Sequence, residues 1–466
     1  MSLGCVVLAA GAGTRMRSAV PKVLFTLCGK SLLAHVLESV ASLRPAQVCV
    51  VVGHEADRVR ATALECAPPS LRGRMVFAMQ RVRRGSGHAL MCARGRISAA
   101  LDALVVLSGD VPLIAPATLR SLVGAWRGAD AAVLTTEPSD PFGYGRIVRG
   151  PDGRFRRIVE EKDASAAQRA IREVNAGVYV FRPRRLWPAL RTLRPDNAKR
   201  EYYLTDVLDR LGTVHTCRCA DPEEVRGVNT RTELARCEDI VRRRILSGLM
   251  ESGVTVRMPE TVFVDYGVRV GSDTEILPGC ILSECTIGSG CRIGPYTVMR
   301  ETRVGDGVTV VCSHVDGADI GAGCRIGPYA RLRPGAVLSA RAVAGNFVEV
   351  KNSVVGAGSK INHLAYIGDA DVGEEVNVGA GAITCNYDGV AKHRSIIGDR
   401  SFIGSNVNLV APIRIGHHTV IAAGSTVGRD VPPRTLVIAR EREVLKPNHE
   451  IVRRMCDRAR RSGGRA

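Results

Sequence analysis

From about residue 255 onward, an aliphatic side chain returns every six residues: Ile320, Ile326, Leu332 and Leu338, then Val355, Ile361 and Ile367, then Ile397, Ile403, Leu409, Ile415, Ile421 and Val427. That period belongs neither to a helix, at about 3.6, nor to an isolated strand, at about 2. Six residues per side and three sides per coil make a prism of short parallel strands. The aliphatic points inward on each side, and a small residue after it, as in Ile326-Gly327 and Ile415-Gly416, permits the corner. One match would mean little; thirteen in phase constrain the fold. Two segments break the phase. Thr384–Ser395 is too long for a corner, and Asn346–Asn352 sets Glu349 and Lys351 on one side of a strand. Interruptions of a regular solenoid are where function collects.

Residues 1–228 have another texture. Short apolar runs (Val6–Ala10, Val48–Val52, Leu104–Leu107, Ala131–Thr135) alternate with helical patterns (Leu32–Leu43, Ala115–Trp126, Tyr202–Leu211). Strand then helix, repeated, predicts a mostly parallel α/β sheet. Arg231 to Met250 carries Leu234, Ile240, Ile245 and Leu249 at helical spacing and reads as a connecting helix. The expected division is therefore 1–229, a linking helix at 230–250, and a β-helix at 251–466 with a basic tail. A chain of 466 residues exceeds one core in any case.

Charge and cysteine usage narrow the class. The net charge is +19, from 65 Lys+Arg against 46 Asp+Glu. The arginines are spread along the chain and aromatics are only 4%, which argues against nucleic acid and for small polyanions. The one dense basic run, Arg453–Arg465, is expected to fray. No apolar stretch is long enough to span a membrane, and Leu3–Ala12 lacks a basic leader, so it reads as a buried strand. The 15 cysteines are scattered without zinc-type spacing, which predicts free thiols in a reducing cytoplasm.

The segment Leu8-Ala9-Ala10-Gly11-Ala12-Gly13-Thr14-Arg15-Met16 follows the first strand. Its glycines let backbone N–H groups approach a phosphate, with Arg15 and Lys22 as cationic partners; a tight structural turn is the competing reading. A general base titrating near neutrality is best supplied by histidine. His363 stands beside the first interruption; it could equally be a surface histidine, and His393, His417 and His418 are rival bases or metal ligands.

The whole string Leu8–Lys22 resembles the signature of sugar-1-phosphate nucleotidyltransferases. Further matches follow in order: Gln80, Gly85-Ser86-Gly87-His88, Ser108-Gly109-Asp110, Gly143-Tyr144-Gly145-Arg146, Glu160, Asn175, Glu201–Asp206 and Gly227-Val228-Asn229. In the second half, Arg331–Gly335, Gly345–Lys351 and Cys385-Asn386-Tyr387-Asp388-Gly389 extend the match. Over residues 3–445 the chain resembles the bifunctional bacterial N-acetylglucosamine-1-phosphate uridylyltransferases / glucosamine-1-phosphate N-acetyltransferases. The resemblance implies a Rossmann-like domain followed by a left-handed β-helix. It implies acetyl transfer from acetyl-CoA to glucosamine-1-phosphate, then uridylyl transfer from UTP to N-acetylglucosamine-1-phosphate. A nucleotidyltransferase whose β-helix only assembles the oligomer is the alternative.

Site residues follow from the same resemblance. Leu8, Ala9, Ala10, Gly11, Gln80, Gly85, Ser86, Ser108 and Gly109 would bind the nucleotide. Arg15 and Lys22 would neutralise its phosphates, and Asp110 and Asn229 would hold Mg²⁺. Gly145, Glu160 and Asn175 would meet the sugar. In the β-helix His363 would be the base, oriented or charge-stabilised by Glu349. Arg333, Lys351, Tyr366 and Asn377 would hold the sugar phosphate, Asn386 and Tyr387 the amine and acetyl group. Ala380, Ser405, Ala423 and Arg440 would line the acetyl-CoA groove, in a homotrimer. Ser108, Arg83, Ala176 and Ala12 depart from the pattern without removing a phosphate or metal group.

Overall fold

A computed structural model describes residues 1–98, 100–197 and 200–462. The chain forms two compact units, Met1–Gly248 with Val264–Tyr266, and Leu249–Phe263 with Gly267 onward.

The first unit is a three-layer α/β domain. Its strands are β1 (Leu3–Leu8), β2 (Gln47–Val52), β3 (Met75–Met79), β4 (Ala103–Ser108), β5 (Ala131–Thr136), β6 (Arg146–Arg149), β7 (Phe155–Val159), β8 (Val174–Phe181) and β9 (Val214–Arg218). The sheet order is β9-β5-β8-β4-β1-β2-β3, with the hairpin β6-β7 attached to β8. β8 runs antiparallel to both its neighbours, so the expected parallel sheet is mixed. β1, β2 and β4 are apolar along nearly their whole length because helices cover both faces. The chain order reverses at β1, which has β4 on one side and β2 on the other. The loops leaving β1 and β4 therefore diverge from one edge, and a crevice opens between them. Register fixes the pair: Leu8 lies opposite Ser108, and the Gly109 N–H donates to Leu8 O at 2.9 Å.

The segment Tyr202–Leu211, expected to be α-helical, has only a 3₁₀ run at Thr205–Arg210. Its start is committed elsewhere. Tyr202 N–H donates to Arg84 O, Gly87 N–H to Tyr202 O, and Leu204 N–H to Ser86 Oγ. Those bonds stitch the segment to the helix Ser86–Ala93 and take up groups that a first α-turn needs.

The second unit is a left-handed parallel β-helix. Three sheets of 11, 10 and 9 short strands run its length, each strand pairing with the one a full coil later. All thirteen phased aliphatics are buried, none more than 4% exposed. Buried hydroxyls bridge the backbone at corners: Ser353 Oγ donates to Lys351 O and accepts from Ala370 N–H. The basic tail is helical over Glu450–Ser462, not frayed. Arg454 pairs with Glu450 one turn back, and the run holds no Gly or Pro until 463, where the described residues end.

Candidate active sites

In the first unit, the loops after β1 and β4 bring four side chains together. Lys22 Nζ donates to Asp110 Oδ2 and to Asn229 Oδ1, the latter at 2.9 Å. An Arg15 guanidinium N–H donates to the same Asn229 oxygen at 2.9 Å. Lys22 and Asp110 are only 12% and 14% exposed, so the charges interact with little screening. Gly13 lies at φ 62°, and a Cβ there would come within 2.6 Å of the Lys22 Cβ; the loop stays glycine because Lys22 must pass beneath it. Nothing lies within 4 Å of a Cβ at Gly11, which leaves room for a ligand.

Asn229 reaches this cluster from far along the chain. The Val228 N–H donates to the Asp110 carbonyl at 2.9 Å, tying the two segments. The residue is then fixed by the next helix, Arg231–Glu251. Glu233 Oε2 accepts from the N–H groups of Asn229 and Thr230 while Thr230 Oγ1 accepts from Glu233 N–H. This is a capping box. Thr230-x-x-Glu233 was its signal in the sequence, and Glu233 is a supporting residue the motif comparison passes over.

A cleft of about 510 Å³ joins this cluster to the expected sugar residues: Arg15, Asp110 and Asn229 share it with Gly145, Glu160 and Asn175. Asn175 sits on β8 where the register with β5 shifts, so its side chain turns to Tyr179 and to the Gly177 N–H. Glu160 accepts from Thr205 Oγ1 at 3.1 Å. A Cβ at Gly145 would meet Ile158 at 2.8 Å. Gln80, buried, donates to Gly85 O and contacts the His88 ring. Burial and Arg84 both lower the His88 pKa. Among the described residues no group of three His, Cys, Asp or Glu clusters for a metal. Asp110 and Asn229 supply two oxygens, a set that suits Mg²⁺ when phosphates and water complete the shell.

In the second unit, the expected residues gather along neighbouring coils. Asn346 pairs with His363, and their side chains meet at 2.6 Å, Asn346 Oδ1 to His363 Nδ1. Successive hydrogen bonds step down the same corner: Leu364 N–H to Asn346 O, Gly381 N–H to Leu364 O, Asn406 N–H to Ala380 O, and Gly424 N–H to Ser405 O. Ala380, Ser405 and Ala423 therefore stack beneath His363, and Arg440 ends the column by donating to Ala423 O at 3.0 Å.

The side chain that meets the His363 ring is Asn346, not Glu349. Glu349 lies on the next sheet and accepts from Arg333 at 2.9 Å, and the orienting oxygen is that of Asn346. Lys351 and Asn386 converge on Asp369, which the sequence did not single out, and the Tyr366 hydroxyl lies 3.5 Å from the Asn386 amide nitrogen. Asp369 accepts from Asn352 at 2.6 Å and from Asn386, with Lys351 Nζ 3.8 Å away. Burial pushes the Asp369 carboxyl up, but these donors, Lys351 and Lys392 outweigh it and hold it below the usual range. Its ionised form thus supports the fold above about pH 4 and loses that support as pH falls through the depressed value. Asp369→Ala strands three buried or half-buried donors. It is expected to bring the acid-unfolding midpoint of the second unit to higher pH, read by circular dichroism against the wild type. Lys392, also overlooked, faces Lys351, whose charge lowers its pKa. Asn377 stands apart from Tyr366, on the sheet of His363, paired with Lys360 and Phe402.

A spacing of 17 residues would have disclosed two of the missed partners: Asn346 to His363 and Asn352 to Asp369 are each one coil apart, as are Asp369 and Asn386.

A family model described as MobA-like NTP transferase domain matches residues 5–212, and one described as bacterial transferase hexapeptide (six repeats) matches 394–429. The chain is 46% identical over 453 residues to the bifunctional protein GlmU of Heliobacterium modesticaldum, covering 95% of this chain and 96% of that protein. It is 47% identical over 450 residues to the same-named protein of Bordetella parapertussis, covering 95% and 97%. The likeness covers 95% of the chain, and the chain belongs to the GlmU family of bifunctional proteins.

Proposed function

We propose that the chain makes UDP-N-acetylglucosamine at two separate sites. At the β-helix, the amine of glucosamine-1-phosphate attacks the acetyl carbonyl of acetyl-CoA, and His363 accepts the ammonium proton as CoA leaves. Asn346 holds the ring so that the other nitrogen faces the amine. Arg333, Lys351 and Lys392 offer charge to the sugar phosphate. The small residues Ala380, Ser405 and Ala423 leave the pantetheine arm a place along the column, and Arg440 meets a CoA phosphate.

At the α/β domain, a phosphate oxygen of N-acetylglucosamine-1-phosphate attacks the α-phosphorus of UTP and pyrophosphate departs. Arg15 and Lys22 draw the anions together, and Gly145, Glu160 and Asn175 orient the sugar. Asp110 and Asn229 are the residues that would hold Mg²⁺, which supplies Lewis-acid neutralisation of phosphate charge.

The observation that carries this reading is the convergence of each motif set inside its own unit, above all the His363-to-Arg440 column. A passive assembly platform has no use for such a column. Incubation with glucosamine-1-phosphate, acetyl-CoA, UTP and Mg²⁺ is expected to release CoA and form the UDP-sugar. Uridylyl transfer without CoA release would leave only the platform reading.

Assembly and location belong to the same proposal. Three prisms packed in parallel form the acetyl-transfer sites, and light scattering is expected to give three times the 49.9 kDa chain mass. A monomer with full acetyl transfer refutes the shared site. All 15 cysteines are unpaired, no described helix is long and apolar enough to cross a membrane, and the substrates are cytoplasmic metabolites; together these favour the cytoplasm.

A further inference from the structure

The loop between Cys385 and Ser395 is closed by its own side chains. Asp388 Oδ1 accepts from the N–H groups of Val390 and Ala391 at 2.8 and 2.7 Å, and Oδ2 faces His393 Nε2 at 2.6 Å. Tyr387 and Lys392 pair across it as a lone antiparallel bridge. The His393 N–H donates to Asn386 O at 2.8 Å. Three groups that the acetyl-transfer reading uses, Asn386, Tyr387 and Lys392, thus ride on one small hairpin.

The two ends of that hairpin are not equally secured. Asn386 is 7% exposed and held by Asp369 within the β-helix. Lys392 is exposed and faces a like charge on Lys351, which pushes it outward. Asp369 attracts both lysines but is shared among Asn352, Asn386 and Lys351. Something must hold Lys392 near Lys351 before a phosphate arrives to neutralise them. The next residue does so: His393 is anchored to Asp388, whose other oxygen is already fixed by backbone.

We propose that the Asp388–His393 pair is a positioning latch, setting Lys392 in place for the sugar phosphate ahead of binding. The proposal rests on the acetyl-transfer reading above. Exposed ion pairs often contribute little because two long side chains must be ordered. Here the carboxylate is ordered by the turn itself and the contact is short, so little is lost in making it. The latch acts on preorganisation, and its loss falls on binding more than on turnover. His393 touches no reacting atom; it works through Lys392.

The test uses the full chain and steady-state acetyl transfer with glucosamine-1-phosphate and acetyl-CoA varied separately. His393→Ala is expected to raise the KM for glucosamine-1-phosphate about tenfold, the scale of a long side chain left to be immobilised on binding. Its kcat, its KM for acetyl-CoA and its uridylyl transfer are expected to stay near wild type. His393→Gln, which keeps a side-chain N–H donor for Asp388, is expected to restore most of the affinity. An unchanged KM in His393→Ala overturns the latch, as does a His393→Gln variant as impaired as the alanine, or a parallel fall of kcat and uridylyl transfer. A wild-type chain without acetyl transfer overturns the underlying reading instead, which separates the two failures.

Discussion

His363→Ala is expected to slow acetyl transfer by about 10²–10⁴, the usual cost of removing a general base. The reason is local. His363 ends a strand at the corner where the column of Ala380, Ser405 and Ala423 begins, and one ring nitrogen is taken by Asn346 at 2.6 Å. That leaves the other nitrogen to face the amine, so the ring has one orientation and one role. The side chain is exposed and packs against no core residue, so its removal leaves the β-helix intact. Uridylyl transfer from supplied N-acetylglucosamine-1-phosphate is expected to be unchanged. Asn346→Ala is expected to act in the same direction and less severely, because it frees the ring without removing the base. CoA release near the wild-type rate in His363→Ala would send the search for the base elsewhere.

The two halves of the chain were legible to different degrees. Each inward position of the β-helix meets the same surroundings, so Ile320 to Val427 repeat a single message and their burial follows from the period alone. The crevice at β1 was legible for a related reason: a buried strand running into Leu8–Met16 leaves few ways to continue. Asn346, Asp369 and Lys392 were not, because their meaning lies in which residues stack one coil later. The loop at 386–394 lengthens one coil, so sequence distance stops reporting spatial distance there. Glu349 is a separate case, on a regular coil ahead of that loop. It sits on a chemically suggestive strand, yet its neighbour across the coil is Arg333, not His363. Tyr202–Leu211 failed differently. Its apolar spacing suits a helix, but its first backbone groups are already bonded to the Arg84–Gly87 turn.

Asp110→Asn is expected to abolish UDP-sugar formation while CoA release continues. Asparagine fills the same space and can still accept from Lys22, so the packing of the cluster survives. The Val228 N–H bonds the Asp110 backbone carbonyl and is untouched. What disappears is one negative charge beside Asn229, among residues otherwise cationic: Arg15 and Lys22 both point at the same Asn229 oxygen. Without the carboxylate, the oxygens at this position no longer suit a divalent cation, and Lys22 is left without its counter-charge. Lewis-acid stabilisation of phosphate charge is worth several kcal/mol. At about 1.4 kcal/mol per tenfold in rate, that predicts a loss on the order of a thousandfold or more. The variant is also expected to lose the Mg²⁺-induced rise in melting temperature that the wild type gains with UTP present, a readout independent of turnover. Equal loss of both activities in a folded variant would sink the assignment of Asp110, which gives it a part in uridylyl transfer alone. Loss confined to uridylyl transfer, with acetylation at its full rate, is the result the separation of the two sites requires.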